Sequence, residues 1–176
     1  MGSLYENCGI MPSFIVDDLV IFFSLIYYAE LVVVFLLRVQ KLTNLEWKMN
    51  PAFSILVIPF VSLWVLNILL GSGTGRLMAG FPIILYLGYD LWYRALTHRK
   101  PYHHPQKWPV GLVVYLLLLF IGSIGLNWYG YLVSQLCGNV LVASFFVMIG
   151  SYSYYQYKHN KDERVAQGFY HTILGS

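Results

Sequence analysis

Charge is what this sequence has least of. Asp, Glu, Lys and Arg make up 11% of its 176 residues while 58% are hydrophobic, against roughly 25% charged in soluble domains. That balance excludes an ordinary soluble domain, and short loops leave no room for a separate one. Cysteine is nearly absent. Cys8 and Cys137 form no CxxC pair, which argues against a thiol–disulfide relay or a zinc ribbon. No histidine falls inside an apolar run, which argues against a four-helix b-type cytochrome, whose haem ligands project from helices into the bundle core. No basic helix or aromatic-interleaved strand stands outside the apolar runs, so nucleic acid is not an expected partner. The run Gly71-Ser72-Gly73-Thr74-Gly75 lacks the Lys-Ser/Thr of a phosphate-binding loop and follows a helix rather than a strand, so it reads as a turn. There is no internal repeat, and hence no inverted-repeat transporter within one chain. Met1–Pro12 has neither a positively charged start nor a small-residue cleavage site, so the first helix is expected to act as its own uncleaved signal.

Long apolar runs are abundant. Leu19–Leu37, Ala52–Leu70, Leu77–Leu96, Pro109–Tyr131 and Gly138–Tyr157 each approach the ~20 residues that cross a hydrocarbon core. They predict an all-α, polytopic integral membrane protein: a single transmembrane domain over 1–176, with helices at about 14–37, 51–70, 77–97, 109–131 and 138–157. A short polar cytoplasmic tail over 158–176 is expected to follow, with Phe169, Tyr170, Ile173 and Leu174 able to rest on the membrane surface. If the five spans alternate, ten of the eleven Lys and Arg residues share one side and only Arg76 lies on the other. Cytoplasmic loops collect Lys and Arg, so the N-terminus is expected outside and the C-terminus in the cytoplasm, in the cell membrane or, in a eukaryote, the endoplasmic reticulum. A four-span reading with Leu77–Leu96 re-entrant destroys that asymmetry. Both cysteines then face the oxidising side, where a Cys8–Cys137 bridge and two unpaired residues are the alternatives.

Local signals mark the helix ends and contacts. The first helix is expected to begin near Pro12–Ser13, with Asp17 and Asp18 complementing its dipole at headgroup level. Pro51 suits a first turn and Pro59 is expected to kink the second helix. Gly122, Ser123 and Gly125 are small enough to let a neighbouring helix approach closely. Tyrosines and tryptophans at the span ends fit the interfacial belt. Asn67, Arg76, Asn127, Gln135 and Asn139 form a polar set near the outer helix ends, where water or interhelical hydrogen bonds satisfy them.

Glu30 is the sharpest single signal. A carboxylate in hydrocarbon costs on the order of 2.5–3.5 kcal/mol unless paired or protonated. Its i−4 and i+4 neighbours are Ile26 and Val34, so no local cation reaches it. Glu30 precedes Arg38 by eight residues and Asp90 precedes Leu96 by six, which places both carboxyls at comparable depth in the inner half. Asp90 has Arg94 one turn later, a spacing at which the two neutralise each other. Aromatic faces bind cations, and Tyr27 and Tyr28 adjoin Glu30. The expected ligand-binding set is therefore Glu30, Asp90, Tyr27, Tyr86 and Arg94.

Histidine supplies the other constellation. The run His98-Arg99-Lys100-Pro101-Tyr102-His103-His104 resembles one histidine box of membrane-bound di-iron desaturases and hydroxylases. Such enzymes carry several boxes and more histidines than the five here. With His159 these residues are the weak candidates for a metal, imidazole suiting Zn or Fe; a solvated basic loop is the alternative, and no cofactor is called for. The expected function is binding or transport of a lipophilic or cationic small molecule, with membrane lipids around the chain. The alternatives are an enzyme acting on a lipid or isoprenoid and a non-catalytic subunit of a larger membrane complex, with a homo-oligomer also open.

Overall fold

A computed structural model describes residues 13–42, 45, 55–97 and 109–174, with side chains over 14–42, 45, 55–92, 113–159 and 161. Among the described residues there are five helices and no strand: α1 (Ser13–Val39), α2 (Val57–Leu69), α3 (Thr74–Thr97), α4 (Pro109–Val133) and α5 (Gln135–Leu174). Phe14–Val39, Val113–Val133 and Gln135–His159 are long and apolar enough to cross a membrane. Helix α2 is apolar but has only 13 residues, about 20 Å at ~1.5 Å per residue. Helix α3 has 24 residues, but Arg76, Asp90 and Arg94 lower its apolar character. Of the five spans expected, three therefore qualify by length and composition.

The helix ends follow from local chemistry. Helix α1 stops where Lys41 turns left-handed at φ 59, with Leu42 N–H donating to Leu37 O at 3.0 Å and Lys41 N–H to Arg38 O at 3.0 Å. This pair of bonds satisfies carbonyls that a helix end leaves open. Gly71 does the same for α2 at φ 64, and Ser72 N–H reaches Asn67 O at 2.9 Å. A residue without Cβ takes that conformation at little cost, so the glycine-rich run is the turn expected of it. Pro59 has no N–H to return to Ile55, and the helix is interrupted at Leu56, although its φ −61 and ψ −21 stay right-handed. Between α4 and α5 stands Ser134 alone, whose Oγ accepts the Cys137 N–H at 3.1 Å and caps α5.

Helix α5 runs unbroken through most of the polar tail, to Leu174. Lys158–Gln167 holds no glycine or proline, and Lys158 and Asp162 stand four residues apart with opposite charge, a pattern that carries a helix onward outside an apolar environment.

The helices close into a ring in which α1 packs on α2, α2 on α3, α3 on α4, α4 on α5 and α5 on α1, with a lighter contact between α1 and α4. Their directions alternate. Tyr28 meets Phe145, and Phe35 meets Tyr152, so α1 and α5 run parallel. Asp17 meets Arg76 and Tyr27 meets Tyr86, so α1 and α3 also run parallel. Helix α4 runs against them: a Cβ on Gly125 would press on Ala79 O at 2.5 Å and one on Gly122 on Ile83 Cα at 3.2 Å, while Tyr115 meets Tyr86. Trp64 Nε1–H donates to Leu77 O at 3.1 Å across the short turn, setting α2 against α3. The N-terminal ends of α1, α3 and α5 thus share one end of the bundle, the Asp17 end; the other ends of α1 and α3, with the stretch of α5 around Tyr155, form the Arg38 end.

Polarity is arranged inside out. Asp17, Ser24, Asn67, Asp90 and Ser123 are buried, whereas Leu69, Leu136, Met78 and Phe146 are at least 65% exposed. Ser24 and Ser123 return their hydroxyls to the carbonyls of Val20 and Leu119 on their own helices.

Candidate ligand-binding site

Two polar clusters bridge α1 to the opposite side of the ring, one near the Asp17 end and one around the middle of α1 and α3. At the Asp17 end every member is engaged. Arg76 Nη2 lies 3.1 Å from Asp17 Oδ2. Tyr129 Oη donates to Asp17 Oδ1 at 2.8 Å and accepts from Asn67 Nδ2 at 3.1 Å. Ser72 Oγ donates to Asn67 Oδ1 at 2.8 Å. Four helices and the α2–α3 turn are joined by these bonds. Asp17 was expected at headgroup level serving the dipole; it is buried and paired with the single basic residue assigned to its side.

Below it, Tyr28 Oη donates toward Ser123 O and Asn127 Oδ1, both at 3.0 Å, and so fixes α1 to α4. One residue earlier on α1, Tyr27 is wholly buried and turns its ring toward Tyr86, with centroids 6.1 Å apart. Tyr86 and Tyr115 share a hydroxyl–hydroxyl hydrogen bond of 2.8 Å. Asp90, one turn beyond Tyr86 on α3, is buried and lies close enough to act electrostatically on both Tyr27 and Tyr86.

Glu30 is half-buried and lies one turn from Tyr27 on α1. Among the described residues, Glu30 Oε2 and Tyr27 Oη are the buried side-chain oxygens without a hydrogen-bond partner. Each such atom costs about 1–3 kcal/mol relative to a satisfied one. Both sit on α1 within one turn; Tyr27 belongs to the tyrosine cluster, and Glu30 is placed by its position one turn along the same helix.

Of the residues singled out in the sequence, the structure brings Tyr27, Tyr86 and Asp90 together, with Glu30 adjoining Tyr27; no hydrogen bond joins Glu30 Oε2 to Asp90. Arg94 closes α3, but its side chain lies outside the described residues, as do His98, His103, His104 and Cys8 and so the proposed Cys8–Cys137 bridge. His159 lies on α5 with its ring 5.9 Å from that of Tyr155. Among the described residues no three His, Cys, Asp or Glu side chains are grouped to hold a metal.

Sequence reasoning missed Tyr115 and Tyr129, because each sits in a run of similar aromatic and apolar residues. The Asp17–Arg76 pair did leave a trace. Once alternating spans are drawn, Arg76 is the only cation on its side, and an acidic residue lies near the same end of α1. An open groove of about 540 Å³ runs along Gln135, Leu136, Asn139, Val140 and Ala143 on exposed α5, away from the buried tyrosines, and takes in none of the expected ligand-binding residues. No family model, curated protein or solved structure matches this chain.

Proposed function

We propose that this chain is a five-span membrane protein, N-terminus outside and C-terminus cytoplasmic, that binds and translocates a lipophilic organic cation in the half of the bundle nearer the Arg38 end. Two features support the membrane reading. Buried polar and exposed apolar side chains reverse the usual soluble pattern. Helix directions alternate around a closed ring, so Arg38, Lys41 and Lys158 gather at one end and Arg76 stands at the other, as the preference of basic residues for the cytoplasmic face favours.

The observation that carries the ligand reading is the pair of unpartnered oxygens, Glu30 Oε2 and Tyr27 Oη. A carboxyl in hydrocarbon is costly, and such residues are kept where they meet an ion, a proton or a counter-charge. A cation with an apolar body offsets that cost in two ways. Its charge pairs with Glu30, and its surface meets aromatic faces of the kind that Tyr27 and Tyr86 provide, an attraction of about 2 kcal/mol when desolvated. Asp90 is the second carboxyl, and a proton leaving Glu30 as the cation enters couples binding to proton movement.

The test is equilibrium binding of tetraphenylphosphonium to the full chain in lipid nanodiscs. Wild type is expected to bind saturably, Glu30→Gln to bind at least tenfold more weakly at about 1.4 kcal/mol per tenfold, and Glu30→Asp to retain part of the affinity. Equal binding by wild type and Glu30→Gln would overturn the reading. Absence of saturable binding together with co-purification of a second membrane protein would favour the complex-subunit alternative instead.

A further inference from the structure

We propose that the Arg38 end of α1 and the stretch of α5 around Tyr155 together form a binding site for the phosphate headgroup of an anionic phospholipid. This rests on the membrane reading above, not on the cation site. The two helices run parallel, and the end of α1 lies beside the stretch of α5 around Tyr155, which continues past it to Leu174. Arg38 Cζ stands 5.7 Å from the Phe35 ring centroid and 5.9 Å from that of Tyr155, which places its guanidinium against rings from both helices. Phe35 packs on Tyr152 with centroids 5.3 Å apart, and Tyr155 on His159 at 5.9 Å, so two aromatic pairs flank the guanidinium as a shelf. Gln156 Nε2 donates to Tyr152 Oη at 3.0 Å and steadies one edge. A guanidinium held in this way has lost much of its rotamer freedom before a ligand arrives.

Further cations surround the shelf. Lys158 follows Tyr155 by one turn, Lys161 lies one turn farther, and Lys41 sits in the left-handed cap that ends α1. Lys158 is half-buried and Lys161 is exposed. In sequence, Asp162 and Glu163 oppose Lys158, Lys161 and Arg164, leaving this stretch of α5 net positive before Arg38 and Lys41 are added.

The depth of the cluster selects the ligand. Aromatic rings prefer the headgroup boundary, and cations one turn beyond them lie where phosphates are. Immediately toward the bundle's middle, Leu36 is 43% exposed and Tyr154 52% exposed, giving acyl chains an apolar surface beneath the charged head. A free phosphate could use the cations but has no use for that surface. The ligand that fits both is amphipathic and anionic.

The test counts phosphatidylglycerol retained by the full chain, by native mass spectrometry, after exchange from nanodiscs of mixed phosphatidylglycerol and phosphatidylcholine. Wild type is expected to retain phosphatidylglycerol preferentially. Lys158→Gln/Lys161→Gln, which keeps side chains of similar length, is expected to lower that affinity about 25-fold, roughly fivefold for each basic side chain. Arg38→Gln is expected to lower it at least as far as either single lysine change, and Arg38→Lys to restore part of it. Excess inorganic phosphate is expected not to displace the lipid. Unchanged retention in the double lysine variant, or full displacement by inorganic phosphate, would overturn the proposal. Tetraphenylphosphonium binding by the double variant is expected to match wild type, so the two proposals fail separately. A chain that enters no nanodisc overturns the membrane reading and the lipid site with it.

Discussion

The cluster at the Asp17 end and the one around Tyr27 are built from the same kinds of residue, carboxylates and tyrosines, yet they are finished differently. In the first, Asp17, Arg76, Tyr129, Asn67 and Ser72 satisfy one another. In the second, Tyr27 Oη and Glu30 Oε2 have no partner among the described residues. A satisfied buried network fixes one arrangement of helices, whereas an incomplete one is costly unless something else completes it. On the proposed reading the contrast separates a lock from a site: a finished polar network holds helices together, and an unfinished one is where a ligand would complete it.

The contrast can be broken first at the lock. Asp17→Ala strands the Arg76 guanidinium, and the loss of unfolding free energy in detergent or bicelles is expected to be about 3 kcal/mol, the low end for a broken buried pair because Arg76 keeps some exposure. A loss below 1 kcal/mol would show that the network is not what joins that end of the bundle. The helix contact between the two clusters comes next. Gly125→Ala drives a methyl into the Ala79 carbonyl, whereas a Cβ on Gly150 meets nothing within 4 Å. The first change is expected to cost about 2 kcal/mol. The second is expected to be neutral or to stabilise by up to about 1 kcal/mol through helix propensity. Similar effects from both in thermal unfolding would place α4 elsewhere. Smallest of all is the expected effect of Glu30→Gln on stability, within about 0.5 kcal/mol, although it is the change that should cost cation affinity most.

Much of this architecture is legible in the sequence because hydropathy and helix punctuation are local properties. Gly71 makes the turn expected of it, and Gly122 and Gly125 meet α3 at backbone distance. Ser134 as a cap and the continuation of α5 to Leu174 are also local, but weaker: a lone serine among apolar residues and a polar stretch with good helix formers read equally well as a loop. What is not legible is helix rotation. Tyr27 and Tyr28 differ by a single position, yet one turns to Tyr86 and the other to Ser123 and Asn127. No periodicity distinguishes them, because α1 is apolar nearly all round. Tyr115 lies 29 residues from its partner Tyr86 and Tyr129 lies 112 from Asp17, and their selection depends on how α4 is turned.

The most direct measurement applies one substitution to both clusters. Tyr129→Phe and Tyr27→Phe each remove a buried phenol oxygen and leave the ring, so packing is held constant. Reversible unfolding of the two variants in bicelles is expected to give opposite results. Tyr129→Phe should lose about 1–2 kcal/mol, since Asn67 and Asp17 are left short of a partner, and Tyr27→Phe should hold or gain stability because its hydroxyl satisfies nothing. A loss in Tyr27→Phe equal to that in Tyr129→Phe would mean that the inner cluster is a lock like the other, and would contradict its reading as a site.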